Sequence, residues 1–143
     1  PNQKANVLLE NSGLTAGNWA PVNPISYEST ETNNVHVIGD AQATRQPKSA
    51  HMANSQAKVC VDAVIRSLNE LPLDDNERLN NITTNSACYS PITYNEASWL
   101  TANFAFNGDT MELTHIGEAE KWSTGNYKEM FAWANNLFSD SFF

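Results

Sequence analysis

Three stretches of this 143-residue chain hold residue types suited to binding or redox chemistry. The first is Val35-His36-Val37-Ile38-Gly39-Asp40-Ala41, a β-branched run that stops at a glycine. A strand ending there presents the Asp40 carboxylate at its carboxyl end, where it can accept hydrogen bonds from the hydroxyls of a ribityl or ribose chain, and Gly39 lets a ligand lie close to the backbone. The same pattern also makes an ordinary turn. The second stretch, Pro47-Lys48-Ser49-Ala50-His51, opens a helix. Free N–H groups and partial positive charge at a helix start stabilise a negative group, and Lys48 adds a full charge at the same spot. A capped helix with a solvated lysine is the plain alternative. The third holds Cys88, either a redox thiol or a small buried hydrophobe within a strand.

The remaining titratable residues offer less. His36, His51 and His115 have no ligand spacing. His36 and His115 are expected to be structural, and His51, in the first helical turn, faces either a ligand or solvent. Asp74-Asp75 reads as a solvated turn. Cys60 lies on an apolar helical stripe and belongs in the core, and two cysteines make neither a disulfide framework nor a metal site.

These residues need elements to hold them. Residues 3–12 form a short helix that Gly13 ends. Short strands are expected at Ala20–Asn23 and Tyr27–Thr30, and a buried strand at Val35–Ile38. The spacing of Ala53, Ala57, Cys60, Val61, Val64 and Leu68 predicts a helix over 49–71, capped by Ser49 and stopped near Pro72, with that stripe facing inward. Its small opening residues, Ser49, Ala50 and Ala53, permit a close approach. Residues 74–85 read as a hydrophilic connector. Strands follow at 87–93, 98–106 and 110–116, the last two joined by a turn at Asn107-Gly108-Asp109. A helix over 126–138 closes the chain, with Trp122, Phe131, Trp133 and Phe138 expected in the core, the alternative being a docking surface. The class is α+β.

Composition narrows the partners. Eight Lys and Arg against sixteen Asp and Glu give a formal charge of −8 with no basic cluster, which disfavours nucleic acid. An acidic surface suits a basic protein partner. No apolar run approaches the ~20 residues of a membrane span. The chain opens at Pro1 with no Met, basic segment or apolar stretch, so either an initiator Met was removed or the chain is cut from something longer.

Gly39-Asp40-Ala41, a loop, then Pro47-Lys48-Ser49 and Ala53-Asn54-Ser55-Gln56-x-Lys58-Val59 together resemble the flavoprotein subunit of flavocytochrome c sulfide dehydrogenase. That family belongs with the sulfide:quinone reductases among the flavoproteins with two dinucleotide-binding domains. The likeness extends upstream through Ala16-Gly17-Asn18-Trp19-Ala20-Pro21-Val22 and Tyr27-Glu28-Ser29, and downstream through Asn85-Ser86-Ala87-Cys88-Tyr89-Ser90 to the Trp- and Phe-containing helix. It spans the whole chain but only about the final third of a typical member.

The resemblance implies that residues 1–73 are the end of an FAD-binding region, its last strand and long helix, and that 74–143 are a flavin-covering α+β domain with a small antiparallel sheet and a final helix. It implies that Gly39 and Asp40 hold the ribityl chain of FAD, that Lys48, Ser49 and Ala50 border the pyrimidine end of the flavin ring, and that Cys88 is the redox cysteine. Sulfide would be the substrate, a c-type cytochrome subunit the electron acceptor, and the periplasm the compartment. The chain departs from the family in having no Gly-x-Gly-x-x-Gly, no upstream redox cysteine, and Ala50-His51 where a glycine is expected. The isolated chain is therefore expected to be inactive. The alternative is a non-catalytic interaction module of the same ancestry, able to form a homo-oligomer through the apolar surface left uncovered.

Overall fold

Exposed and buried residues alternate from Thr83 to Ser86, and the computed structural model, which describes residues 3–142, folds the stretch from Thr83 to Glu118 into an antiparallel meander. Its strands are β1 (Thr83–Pro91), β2 (Ala97–Phe106) and β3 (Met111–Glu118). The β2–β3 hairpin turns at Asn107–Thr110, where Asn107 Oδ1 accepts from the amides of Asp109 and Thr110 and Gly108 takes a φ of +100°. A register shift at Asn103/Phe104 sets the two strands. Helices α1 (Val7–Asn11), α2 (Ala50–Leu68), α3 (Asn76–Asn81) and α4 (Thr124–Phe142) complete an α+β fold.

The apolar core is Met52 of α2 against Ile82, Phe104 and Met111, flanked by Ile25, Val59, Leu79 and Phe106. It draws on residues from both sides of position 73. Helix α2 lies along the outer edge of β1 and closes it. His51 Nδ1 accepts from the Ala87 amide at 2.9 Å, and Ser55 Oγ accepts from the Asn85 amide at 3.0 Å. Four helical residues advance about 6 Å and two strand residues about 6.6 Å, so the two spacings match. An otherwise open sheet edge is thereby satisfied by side chains.

Several expectations from the sequence are corrected. Val35–Ile38 is not a strand: only His36 forms a bridge, to Glu28, and Gly39–Ala41 is a 3-10 turn. Its partner segment is itself bent, since Tyr27 and Asn34 have φ of +56° and +61°, so no ladder can propagate. Ala20–Asn23 and Tyr27–Thr30 are likewise reduced to isolated bridges, two in each segment. The buried residues of α2 are Met52, Gln56 and Ala63, whereas Val61 and Leu68 of the expected inward stripe are 55% and 80% exposed. Periodicity reports an apolar face without saying what covers it.

The connector expected at 74–85 instead contains α3, capped by Asp75, and the first residues of β1. Arg78 organises it from a buried position. Its guanidinium donates to Asp62 Oδ2 (2.6 Å), the Leu73 carbonyl (2.9 Å) and the Ile25 carbonyl (2.7 Å). Burial pushes the Asp62 carboxyl up, but the hydrogen bonds and charges of Arg78 and Arg66 outweigh it and hold the group below its usual range. The final helix departs from expectation as well. Helix α4 has no fully buried residue, and Trp122, Phe131 and Phe138 are exposed.

The irregular segments are held by a buried side-chain network. Gln46 Oε1 accepts from Tyr27 Oη (3.0 Å), Thr44 Oγ1 (2.8 Å) and Gln56 Nε2 (3.0 Å), and Gln46 Nε2 donates to Thr84 Oγ1. Gln56 Oε1 in turn accepts from the Gly39 amide at 2.7 Å. Burial pushes the Tyr27 phenol up to about 12, against the opposing pull of its bond to Gln46, so the group stays a donor. Gln56→Leu keeps the volume but leaves the Gly39 N–H without its acceptor and removes one donor from Gln46. Urea unfolding should show a loss of about 2–3 kcal/mol. A loss below about 0.5 kcal/mol would mean the network contributes little.

Candidate functional site

The residues singled out by sequence gather around the first turns of α2. Ser49 is the N-cap, its Oγ accepting from the Met52 amide at 3.2 Å and lying 2.8 Å from Ser86 Oγ of β1. The amides of Ala50 and His51 have no acceptor within the helix, as its geometry requires. Cys88 stands two residues beyond Ser86, on the same sheet face, so it follows Ser49 at one strand repeat of about 7 Å. Its thiol is free and exposed.

Gly39 and Asp40 reach the same helix from the other side. A Cβ at position 39 would stand 3.3 Å from the Ala53 Cβ, and the residue's φ is +70°. Glycine is required there by helix contact and backbone conformation together. Asp40 is exposed and makes no ion pair within 4.0 Å among the described residues. Lys48 is not a solvated lysine. Its Nζ donates to the Gln42 carbonyl at 2.6 Å and lies 4.2 Å from the centroid of the Trp19 ring. Burial lowers its pKa, while the Asp40 charge pulls it back up. The fully buried Gln42 has an unpartnered Nε2 in the same loop, a condition that costs about 1–3 kcal/mol.

A groove of about 830 Å3 adjoins this cluster. Ile38, Ala50, Ala53, Ala57 and Val61 form one wall, and Phe138 and Phe142 of α4 stand opposite. An exposed carboxylate, two free amides, a cation and an adjoining apolar groove together match a ligand with a hydroxylated chain, an electron-rich polar edge and a flat apolar body. Cys60 is half-buried on α2, where burial raises its thiol pKa.

No model of a known protein family matches the chain. Among the described residues no three His, Cys, Asp or Glu side chains come together as metal ligands, and no helix is long and apolar enough to cross a membrane.

Sequence reasoning missed Ser86, Gln46 and Gln56 as positioning residues. Met52 and Gln56 share a helix face at i, i+4, but only the fold shows that this face is the buried one. The sequence allows His51 to face either ligand or solvent, and the structure gives it a third position. It is half-buried, bonded to β1, with its ring 5.8 Å from that of Trp133 at 72°.

Burial first, and then the charge of Lys58, lower the His51 pKa below its ordinary 6.5. The unfolded chain therefore takes up this proton first, so the stabilisation is present above about pH 6.5 and is lost as pH falls through the folded value. An imidazolium also cannot accept the Ala87 N–H. Urea unfolding at about pH 7.5 and about pH 5 should show a loss in the natural chain on acidification. His51→Asn should lose less over the same interval, and an equal loss in both would assign the effect to other groups.

Proposed function

We propose that this chain is the flavin-contacting carboxy-terminal part of an FAD-dependent sulfide dehydrogenase, a protein that oxidises sulfide through a flavin and a redox cysteine and delivers the electrons to a c-type cytochrome. The observation that carries the reading is the convergence of two other segments, the Gly39-Asp40 turn and the strand bearing Cys88, on the Lys48-Ser49-Ala50 start of α2. The resemblance supplies the chemistry, and the cluster supplies groups suited to it.

Each residue has a role in this reading. Asp40 accepts hydrogen bonds from ribityl hydroxyls. The first-turn amides and Lys48 favour negative charge at the pyrimidine edge. Ala50 and Ala53 are small enough to let a ring approach the helix. Cys88 is exposed, and in this reading it would be held in a disulfide with a second cysteine from elsewhere in the protein; sulfide would attack that disulfide and the displaced thiolate would leave. FAD, when bound, supplies a two-electron acceptor. The isolated chain, lacking a glycine-rich pyrophosphate loop and a thiol to pair with Cys88, is inactive on its own.

Purified from its natural source, the protein should carry FAD, and sulfide should bleach the flavin absorption and reduce cytochrome c. Cys88→Ser should keep the flavin but slow sulfide-dependent reduction on the order of 10³-fold. A colourless protein, or an unchanged rate in Cys88→Ser, would falsify the reading. Turnover by the 143-residue chain with added FAD would overturn the claim of inactivity. A second reading, an interaction module that covers its groove with another copy, is favoured by the exposed Val61, Ile65, Phe138 and Phe142. It requires concentration-dependent sedimentation without bound flavin.

A further inference from the structure

On the sheet face beneath α4, three aromatic side chains and one carboxylate surround a cavity of about 310 Å3 that the flavin reading does not use. Tyr89 and Trp99 are direct cross-strand partners, so their rings rise side by side from the sheet. The next pair, Ala87 and Thr101, is short and forms the floor. Helix α4 supplies the remaining walls with Glu129 and Trp133, one turn apart on the same face. The Tyr89 and Trp133 ring centroids lie 5.4 Å apart at 42°, too tilted to stack flat and close the space.

We infer that this cavity is a binding site for a methylated ammonium cation, with Tyr89, Trp99 and Trp133 presenting their rings to the methyl groups and Glu129 balancing the charge. Aromatic faces carry partial negative charge, and a quaternary ammonium is weakly hydrated, so moving it from water into such a cage costs little. The cavity has room for a trimethylammonium group, and the single charged lining residue is an anion. Glu129 also acts on Tyr89: burial first, and then this carboxylate, raise the phenol's pKa, so the ring stays neutral. His51 stands edge-on behind Trp133, where its lowered pKa keeps a competing positive charge away. The formal charge of −8 steers cations toward the molecule as a whole.

The helix is pinned at both ends, which fixes the cage. Asn126 Nδ2 donates to the carbonyls of Ala97 and Lys121, while Asn54 Nδ2 donates to Ser141 Oγ and Lys58 pairs with Asp140 at 2.8 Å. The cage is built by β1, β2 and α4 whether or not the chain belongs to a flavoenzyme.

Isothermal titration of the full chain with choline, at constant ionic strength, should give one site with a Kd on the order of 1 mM. The neutral isostere 3,3-dimethylbutan-1-ol should bind at least about tenfold more weakly. Glu129→Gln, an exposed substitution that leaves the fold intact, should weaken choline about fivefold. Trp133→Phe should retain binding and Trp133→Ala should lose it. A trimethyllysine peptide that binds at least about tenfold more tightly than tetramethylammonium assigns the cation to a modified protein, and equal binding assigns it to a free small molecule. No saturation below about 100 mM choline, equal binding of the neutral isostere, or an unaltered Kd in Glu129→Gln would each overturn the inference.

Discussion

The side-chain amides of Gln46 and Gln56 meet in a region closed to solvent, and distant parts of the chain are fastened to them. The loop at Tyr27, the Gly39 turn, the Thr44 loop and strand β1 at Thr84 each contribute one bond. Residues 12–49 contain little regular secondary structure, so they cannot satisfy their polar groups by ladders and must find individual partners. A glutamine suits this task because one end accepts and the other donates. Tyr27 shows how firmly the arrangement is held: a bulky residue keeps a positive φ while fully buried, with its amide on the Asn23 carbonyl and its phenol on Gln46.

The network also explains the orientation of α2. With Gln56 turned inward beside Met52, the apolar stripe from Ala53 to Val61 is turned toward α4 and solvent. The candidate site depends on this rotation. It sets Ala53 against Gly39, directs Ser49 toward Ser86, and leaves Ala50 at the mouth of the groove. Arg78 plays the matching part for the lower half of the helix, joining Asp62 to the Leu73 and Ile25 carbonyls. A buried guanidinium with three partners fixes direction as well as distance.

Local chemistry made parts of this fold readable from the sequence. The Ser49 cap, the run of helix formers after it and the Asn-Gly turn at 107–108 each act within a few residues, and α2 and the β2–β3 hairpin appear where those signals lie. The same signals could not say that Gln56 belongs inside, because its partners are Gly39 and Gln46. Nor could they say that Val35–Ile38 lacks a ladder, since that depends on how residues 27–34 bend. Arg78 sits in an Asp- and Asn-rich stretch that looks fully solvated, and its carbonyl partners leave no trace in side-chain pattern. The gathering of Asp40, Lys48 and Ser49 was suggested by order along the chain, whereas the approach of Cys88 to Ser49 depends on how β1 lies against α2. Tyr89 and Trp99 become neighbours only once the register of β1 and β2 is known.

Helix α4 is bound differently from α2 and α3. It rests on the sheet without a single fully buried side chain, held by polar contacts at its ends and by Trp133 in the middle. Elements attached in this way open before the global transition, so α4 can open while α2 and β1 remain closed. A site shared between α4 and the sheet then exists only in the docked population. Occupancy there shifts the docking equilibrium by mass action, so a small cation would act as a latch on the carboxy-terminal helix.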